Sequence, residues 1–596
     1  MHHLLTCFRL YQKSRSNVTS AVSRPAKLSG LGLILSTLLS NPVFAQSQVD
    51  IGAAQRQLDQ IQRQEQLRLQ HDQDEARRRN DPSEGMDTKA LQPKISVPAL
   101  GAACRQIDSI SINGANQLSS WTRNGITSAF THQCLKIDDF ERLLGEITKR
   151  YIDRGHISTR AYLAPQDLSK GHLEILVIEG HVEKIIVDDG DAHSVSLQNV
   201  LPGVAGNILN LRDLEQGIDQ INRLSSNNAQ LDIQPGEKAG ASVVVIHNQP
   251  RSPWHATLSL DNQGSEPTGK QQAAFNASVD NLLGFNELFF LTHRETVPGN
   301  QDKKFSGSDS FGLNIPFGYT TFSMSSSYSR YVSTLRVPSG LDLISNGDNR
   351  VDNIRLDRIL YRDQASRASM AVTLTSKDAK NFLHDQYLGV SSRALTVLDI
   401  DSNLFTSFAG GTISLDFGYA MGLDKLNALH DPDYLPDWAA RAQFAKFKAG
   451  FAYSLPLRLF DKDASFTSQL TSQKAKQTLY GSEQIAIGGL YSVRGFVHNT
   501  LAGDDGYYWR NELSLRQPLI LGGESMSSRI YLGYDLGEVK NRTANIPQGH
   551  MAGMAVGIAV NWRGATWELI NTRPLALPAT MTRESSQTWF RLAYSM

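Results

Sequence analysis

From Pro253 to the end of the chain, short segments alternate apolar and polar residues, separated by clusters of Gly, Asn, Asp and Ser. Trp254, Ala256, Leu258 and Leu260 oppose His255, Thr257, Ser259 and Asp261. Phe447, Ala449, Phe451, Tyr453 and Leu455 oppose Lys446, Lys448 and Ser454, and Trp509, Asn511, Leu513 and Leu515 oppose Arg510, Glu512, Ser514 and Arg516. The last segment sets Phe590, Leu592, Tyr594 and Met596 against Arg591, Ala593 and Ser595. A period of two puts successive side chains on opposite faces of a strand. Aromatics on one face and charges on the other suit a closed sheet with lipid outside and water inside. A solenoid would need a fixed repeat period, and none is visible. The expectation for residues 251–596 is a transmembrane antiparallel β-barrel. Sixteen strands would take about 21 residues each with their connections, a reasonable share for short turns and longer outer loops.

The 596 residues include 59 basic and 59 acidic side chains, a balance that argues against a nucleic-acid partner. A hydrophobic content of 40% and a mean hydropathy of −0.31 would suit a soluble protein. They suit a barrel equally, because alternating strands never build a long apolar run. The one strongly apolar run, Leu31 to Leu39, follows five basic residues and precedes Val43-Phe44-Ala45. That pattern predicts a secretory signal over residues 1–45, and the run is too short for a helical span. Cys7 leaves with the signal, so Cys104 and Cys134 remain as an even pair in an oxidising compartment, and a disulfide is expected. The histidines are scattered without ligand spacing, and neither metal nor cofactor is expected.

Residues 46–80 are rich in Gln, Arg and Glu, and Ile51, Leu58, Ile61, Leu67 and Leu69 are thinly spaced. The absence of Gly and Pro after Gly52 favours a helix, and so narrow an apolar stripe suits water, a polar wall or a polar pore. A disordered or coiled-coil arm is the other reading. A linker follows over residues 81–98, and two small α+β modules come next. In the first, residues 99–180, a strand over Gln106–Ile112 precedes a helix capped by Asp138 with Glu141 three residues on. Phe140, Leu143, Leu144, Ile147 and Tyr151 share one face of that helix, and strands around Ser158–Leu163 and His172–Ile178 follow. In the second, residues 181–250, a strand at Val182–Val187 leads to a helix with Leu211, Leu214, Ile218, Ile221 and Leu224 on one face. A hairpin over Leu231–His247 closes it. Neither module carries a phosphate loop or a nucleophile elbow. Sheet edges and helix grooves make peptide capture their natural use, and a pair of spacers is the plainer alternative.

Gly488-Gly489-Leu490-Tyr491-Ser492-Val493-Arg494-Gly495-Phe496 is a glycine-flanked loop carrying one arginine. Later, Ile530, Leu532, Tyr534 and Leu536 fall on one face of a strand, and Tyr531, Gly533 and Asp535 on the other. A carboxylate facing away from an apolar stripe suits a barrel lumen, where it could pair with an arginine brought in on a loop. A turn arginine and an ordinary lumen carboxylate remain the plain reading of either motif alone.

The order of parts resembles the outer-membrane transporters of two-partner secretion, the TpsB group of hemolysin and filamentous-hemagglutinin secretion proteins, across essentially the whole mature chain. Ser492-Val493-Arg494-Gly495-Phe496 is similar to the invaginated sixth-loop motif of that superfamily, and Gly533-Tyr534-Asp535-Leu536-Gly537 to its partner on an inward-facing strand. Tyr151-Ile152-Asp153-Arg154-Gly155 with Pro165-Gln166-Asp167-Leu168, Asp261-Asn262-Gln263-Gly264-Ser265, and Arg510-Asn511-Glu512-Leu513 add to the match. The resemblance implies two POTRA domains, a sixteen-strand barrel and a plug helix lying in the pore. It also implies that Arg494 holds the loop inside by pairing with Asp535, with Val493, Gly495 and Phe496 completing the loop motif. Two features depart from the family: Met596 ends the chain where phenylalanine is common, and the leader is long.

By the same resemblance the partner is a secreted exoprotein, a TpsA-type adhesin, hemolysin or toxin, captured unfolded in the periplasm and passed outward. Outer-membrane lipid and the barrel assembly machinery are the other expected partners. Without a nucleotide motif, folding outside the cell is the expected source of direction. A barrel insertase and a passive porin are the alternatives. An outer-membrane enzyme would need a nucleophile, a base and an oriented acid, and spacing assembles none, so no catalytic residue is expected.

Overall fold

The computed structural model describes residues 104–190, 193–336, 342–543 and 546–596. The signal over 1–45, the helix over 46–80, the linker over 81–98 and the first residues of module one lie outside the described residues.

Module one packs the helix Ile137–Ile152 against a sheet in which Ser109–Asn113 runs parallel to His172–Ile178 and Arg160–Tyr162 runs antiparallel to it. Phe140, Leu143, Leu144, Ile147 and Tyr151 are all buried in one cluster with Leu173, Ile175 and Val177. Full burial of each such side chain stabilises the module by roughly 1.5–3 kcal/mol. The helix begins one residue before Asp138. Its N-cap is Lys136, whose N–H donates to the Asp139 carboxylate at 2.9 Å, so Asp139 closes the first turn where Asp138 and Glu141 were expected to. The expected single strand over Gln106–Ile112 is two, Arg105–Ile107 and Ser109–Asn113. The chain turns at Asp108, where the Gly171 carbonyl accepts two successive N–H groups. A helix that periodicity did not reveal, Ser120–Thr127, is capped by the Ser119 hydroxyl. Cys104 and Cys134 form a disulfide, with Cα atoms 5.3 Å apart, joining Arg105–Ile107 to its partner strand Gln133–Leu135. Closing a loop of that length restrains the unfolded chain by about 3–4 kcal/mol.

Module two repeats the theme. His181–Asp188 runs parallel to Ala241–His247, Gln230–Pro235 runs antiparallel to it, and the helix Leu211–Asn222 covers the sheet. Its polar face meets the barrel. Arg362, at the end of one barrel strand, is nearly buried against Asp219 (2.5 Å) and Gln216 (3.0 Å). Tyr319 donates to Asp213, and the Gly318 carbonyl accepts from Gln216 and Gln220. Burial holds the Asp219 carboxyl above its ordinary range, an effect stronger than the opposing pull of the Arg362 charge.

The remaining strands close into one antiparallel barrel of sixteen, with the two-residue segment Gln386–Tyr387 as an outward extension of one hairpin. Closure is made between Trp254–Asp261 and Gln587–Ser595, in the register Arg591↔Asp261 to Ser595↔Thr257. Met596 takes part, exchanging backbone hydrogen bonds with Ala256. The alternation of the sequence becomes two faces: Trp254, Leu258, Phe447, Leu532 and Tyr534 are exposed outward, whereas Asp261, Lys446, Ser514 and Asp535 are buried inside. Strand length varies from 8 residues at the closure to 21 in Asp342–Arg362. Two-residue turns such as Gly522-Gly523 close the barrel end that carries the modules, and longer connections close the other. No helix among the described residues is long and apolar enough to cross a membrane.

Candidate functional site

The longest connection, residues 476–504, folds back into the lumen. It stands on a stem in which Ile485–Ile487 pairs with Leu501–Gly503. Asp504 fixes the stem: its carboxylate accepts from the N–H of Leu479, the amide of Gln484 and the N–H of Arg542. Ile485, Ile487, Val493, Phe496 and Leu501 then pack on Val539 and Met551 of the wall, so the loop has its own apolar core. Val493 and Phe496 are 0% and 1% exposed, which makes them structural members of the loop.

Arg494 lies at the inner tip, 3% exposed. Its Nε and Nη2 donate to the two carboxylate oxygens of Asp535 at 2.6 and 2.8 Å, a planar fork matched to a carboxylate. The Arg494 N–H also donates to Asp535, at 3.0 Å, so one carboxylate holds both side chain and backbone. Nη1 donates to Glu512 at 2.9 Å, and Glu512 accepts from Arg529 at 2.9 Å. Arg510, from the same strand as Glu512, donates to the Tyr491 carbonyl. The Tyr491 hydroxyl donates to Gln263 in the first hairpin of the barrel. Leaving a buried carboxylate unpaired costs about 3–5 kcal/mol, so Arg494 and Asp535 each make the other's removal expensive.

The wall behind this pair is made of absent side chains. A Cβ at Gly533 would overlap the Arg494 guanidinium, and one at Gly553 would overlap the Arg494 carbonyl oxygen. Gly495 has φ +118°, and a Cβ there would lie 2.7 Å from the Arg573 backbone. Beyond the tip, the N–H groups of Val497, His498 and Asn499 converge on the Glu584 carboxylate at 2.7–3.2 Å.

The structure thus brings Arg494, Asp535, Val493, Gly495 and Phe496 into one assembly, and the Cys104–Cys134 bridge belongs to module one instead. Glu584, Gly553 and Asp504 belong to the assembly without having been singled out in the sequence. Among the described residues, no cluster of His, Cys, Asp or Glu could hold a metal. A buried arginine fork tied into an ion network of this kind can hold a loop in place.

Comparison with known proteins places this architecture. Residues 240–560 match the haemolysin secretion/activation protein family ShlB/FhaC/HecB, residues 106–180 match the ShlB-type POTRA domain, and residues 181–235 match a further POTRA domain. The outer membrane transporter CdiB of Escherichia coli is 33% identical over 460 residues, covering 76% of each chain. The hemolysin transporter protein ShlB of Serratia marcescens is 29% identical over 581 residues, covering 96% of this chain and 99% of its own. The solved structure of CdiB from Escherichia coli superposes with a TM-score of 0.81 at 28% identity, covering 90% of this chain and 98% of that one. The barrel therefore lies in the outer membrane with its POTRA modules in the periplasm. The chain belongs to the haemolysin secretion/activation protein family ShlB/FhaC/HecB.

Proposed function

We propose that this transporter captures an unfolded exoprotein of the TpsA type in the periplasm through its two POTRA modules and passes it through the barrel to the cell surface. The relatives carry the names outer membrane transporter CdiB and hemolysin transporter protein ShlB, which supports a secreted protein of the hemolysin, toxin or adhesin kind as cargo. The working parts are a signal over 1–45, a plug helix over 46–80, a linker over 81–98, POTRA modules over 99–180 and 181–250, and the barrel over 251–596. An extended chain would bind by strand addition or along a helix groove, displace the plug, thread the polar lumen and fold outside. Arg494, Val493, Gly495 and Phe496 on the loop and Asp535 on the wall act as one device that keeps the loop inside the barrel during this passage. Outer-membrane lipid and the barrel assembly machinery are the remaining partners. The chain works as a transporter without catalytic residues or cofactor.

The observation that carries the reading is a loop folded into the lumen of a POTRA-bearing barrel and fixed there by a buried arginine fork. The test is co-expression with the exoprotein of the neighbouring gene in a host lacking other such transporters. Exoprotein in the medium only when this chain is present supports the reading. Secretion without the chain, or retention with it, overturns it and favours an insertase or a porin.

A further inference from the structure

The tip network leaves a second buried charge cluster of the same loop unused. Glu483 lies at the loop's base, with its side chain 3% exposed. Lys446 Nζ donates to the Glu483 carboxylate at 3.0 Å and to the Glu483 carbonyl at 2.7 Å, gripping side chain and backbone together. Lys377 Nζ donates to the other carboxylate oxygen at 2.5 Å, and Gln473 donates to the same carbonyl. Counted from Trp254–Asp261 around the barrel, Lys377 sits on the seventh strand and Lys446 on the tenth, whereas Asp535 sits on the thirteenth. Three strand spacings, about 14 Å, separate each of these positions from the next. Leu479, at the start of the loop, packs with Val397, Ala420 and Ala475 of the same side of the wall as the lysines. The loop is therefore held on two separated stretches of wall, at its base and at its tip.

We propose that Glu483, clamped by Lys446 and Lys377, is the second anchor of the lumen loop, a positioning residue that sets where the Arg494 tip meets the wall at Asp535 during transport. This rests on the proposed role of the loop in secretion. The charge count makes the three partners unequal. Removing Glu483 leaves two ammonium groups facing each other, whereas removing either lysine leaves the other balanced against Glu483. Lys446 is the more buried of the two and also holds the Glu483 carbonyl, so its loss costs more than that of Lys377. The effects should fall in the order Glu483→Gln, Lys446→Met, Lys377→Met.

The experiment uses the full-length chain, with ion conductance in planar bilayers, exoprotein secretion in cells, and heat-modifiable gel mobility as the check on barrel folding. Glu483→Gln is expected to raise conductance and lower secretion by at least about tenfold, the scale set by losing a charged hydrogen-bond partner. Combined with Arg494→Ala it should do little more than the stronger single change, because both anchors hold one loop. Wild-type conductance and secretion in Glu483→Gln, with Arg494→Ala defective, would overturn the second anchor and leave the transport role of the loop standing. Wild-type behaviour in both would overturn that role and the second anchor with it. If Glu483→Gln yields no folded barrel, Lys377→Met decides: a smaller rise in conductance supports the anchor, and none overturns it.

Discussion

The guanidinium of Arg494 occupies the space that a side chain at Gly533 would fill. Gly533 lies directly across from Glu512 in the strand register, so the arginine slots between two strands whose acids it pairs with, Glu512 on one and Asp535 on the other. Gly533→Ala should therefore displace the arginine while every charged partner remains present. The expected outcome is a folded barrel with secretion reduced to the level of Arg494→Ala. Secretion at wild-type level in Gly533→Ala would show that the close fit is not used.

Glu584 gathers three consecutive loop N–H groups from 85–87 residues away. Glu584→Gln keeps the shape and halves the acceptors, and it should loosen the outer part of the loop by about 1.5–3 kcal/mol. Hydrogen exchange at Val497–Asn499 should quicken by roughly tenfold or more, the factor that such an energy sets. Exchange at Ile485–Ile487, in the stem, should stay unchanged.

Arg362 ties module two to the barrel. Arg362→Met would leave the Asp219 carboxylate buried without its cation, at a cost of about 3–5 kcal/mol, enough to undock the module. Spin-label distances between the helix Leu211–Asn222 and the turn at Gly318 should lengthen and broaden. The pH sign follows from Asp219, whose carboxyl is raised by burial in the docked state. A raised acid binds its proton more tightly when docked, so docking is favoured at low pH and weakened as the pH rises through that value. The Arg362→Met defect should thus be relieved by acidification and by Asp219→Asn. A defect unchanged by both would exclude the carboxylate as its cause.

In module one, the Tyr151 hydroxyl donates to Glu179 at 2.6 Å, and burial together with that carboxylate pushes the phenol well above its usual range. Tyr151 therefore contributes stability that is complete below the ordinary phenol value and declines as the pH rises above it. Tyr151→Phe should cost about 1.5–3 kcal/mol at neutral pH, the worth of a charged hydrogen bond. It should also flatten the alkaline limb of the module's unfolding curve, followed by near-ultraviolet circular dichroism of the full chain.

Much of this was legible in the residues. The two-residue period after Pro253 carried the barrel, and it set Asp535 on the face opposite Leu532 and Tyr534, because a strand sorts its side chains by parity alone. The arginine of the loop could be seen as a candidate partner because a lumen carboxylate wants a cation, and the family resemblance of the two motifs pointed to this pair. The glycine wall was not legible, since the sequence records Gly533 and Gly553 without recording what fills the space above them. Glu584 and Asp504 gave no local signal because the N–H groups they satisfy are supplied by distant or irregular backbone. The helix Ser120–Thr127 carries one buried apolar residue, Ile126, too little for a periodicity to register. The docking face of Leu211–Asn222 carried no signal in the sequence, because polar residues that meet a partner look the same as polar residues that meet water.

The most direct measurement is secretion of the partner exoprotein by Arg494→Ala against wild type, with heat-modifiable mobility of the barrel recorded from the same cells. The expected result is a folded barrel and secretion reduced by at least about tenfold, since Asp535 is left without its cation and neither it nor Glu512 any longer holds the loop in place. Undiminished secretion from that folded barrel would contradict the account, and Arg494 would then be a turn residue whose buried pairing plays no part in transport.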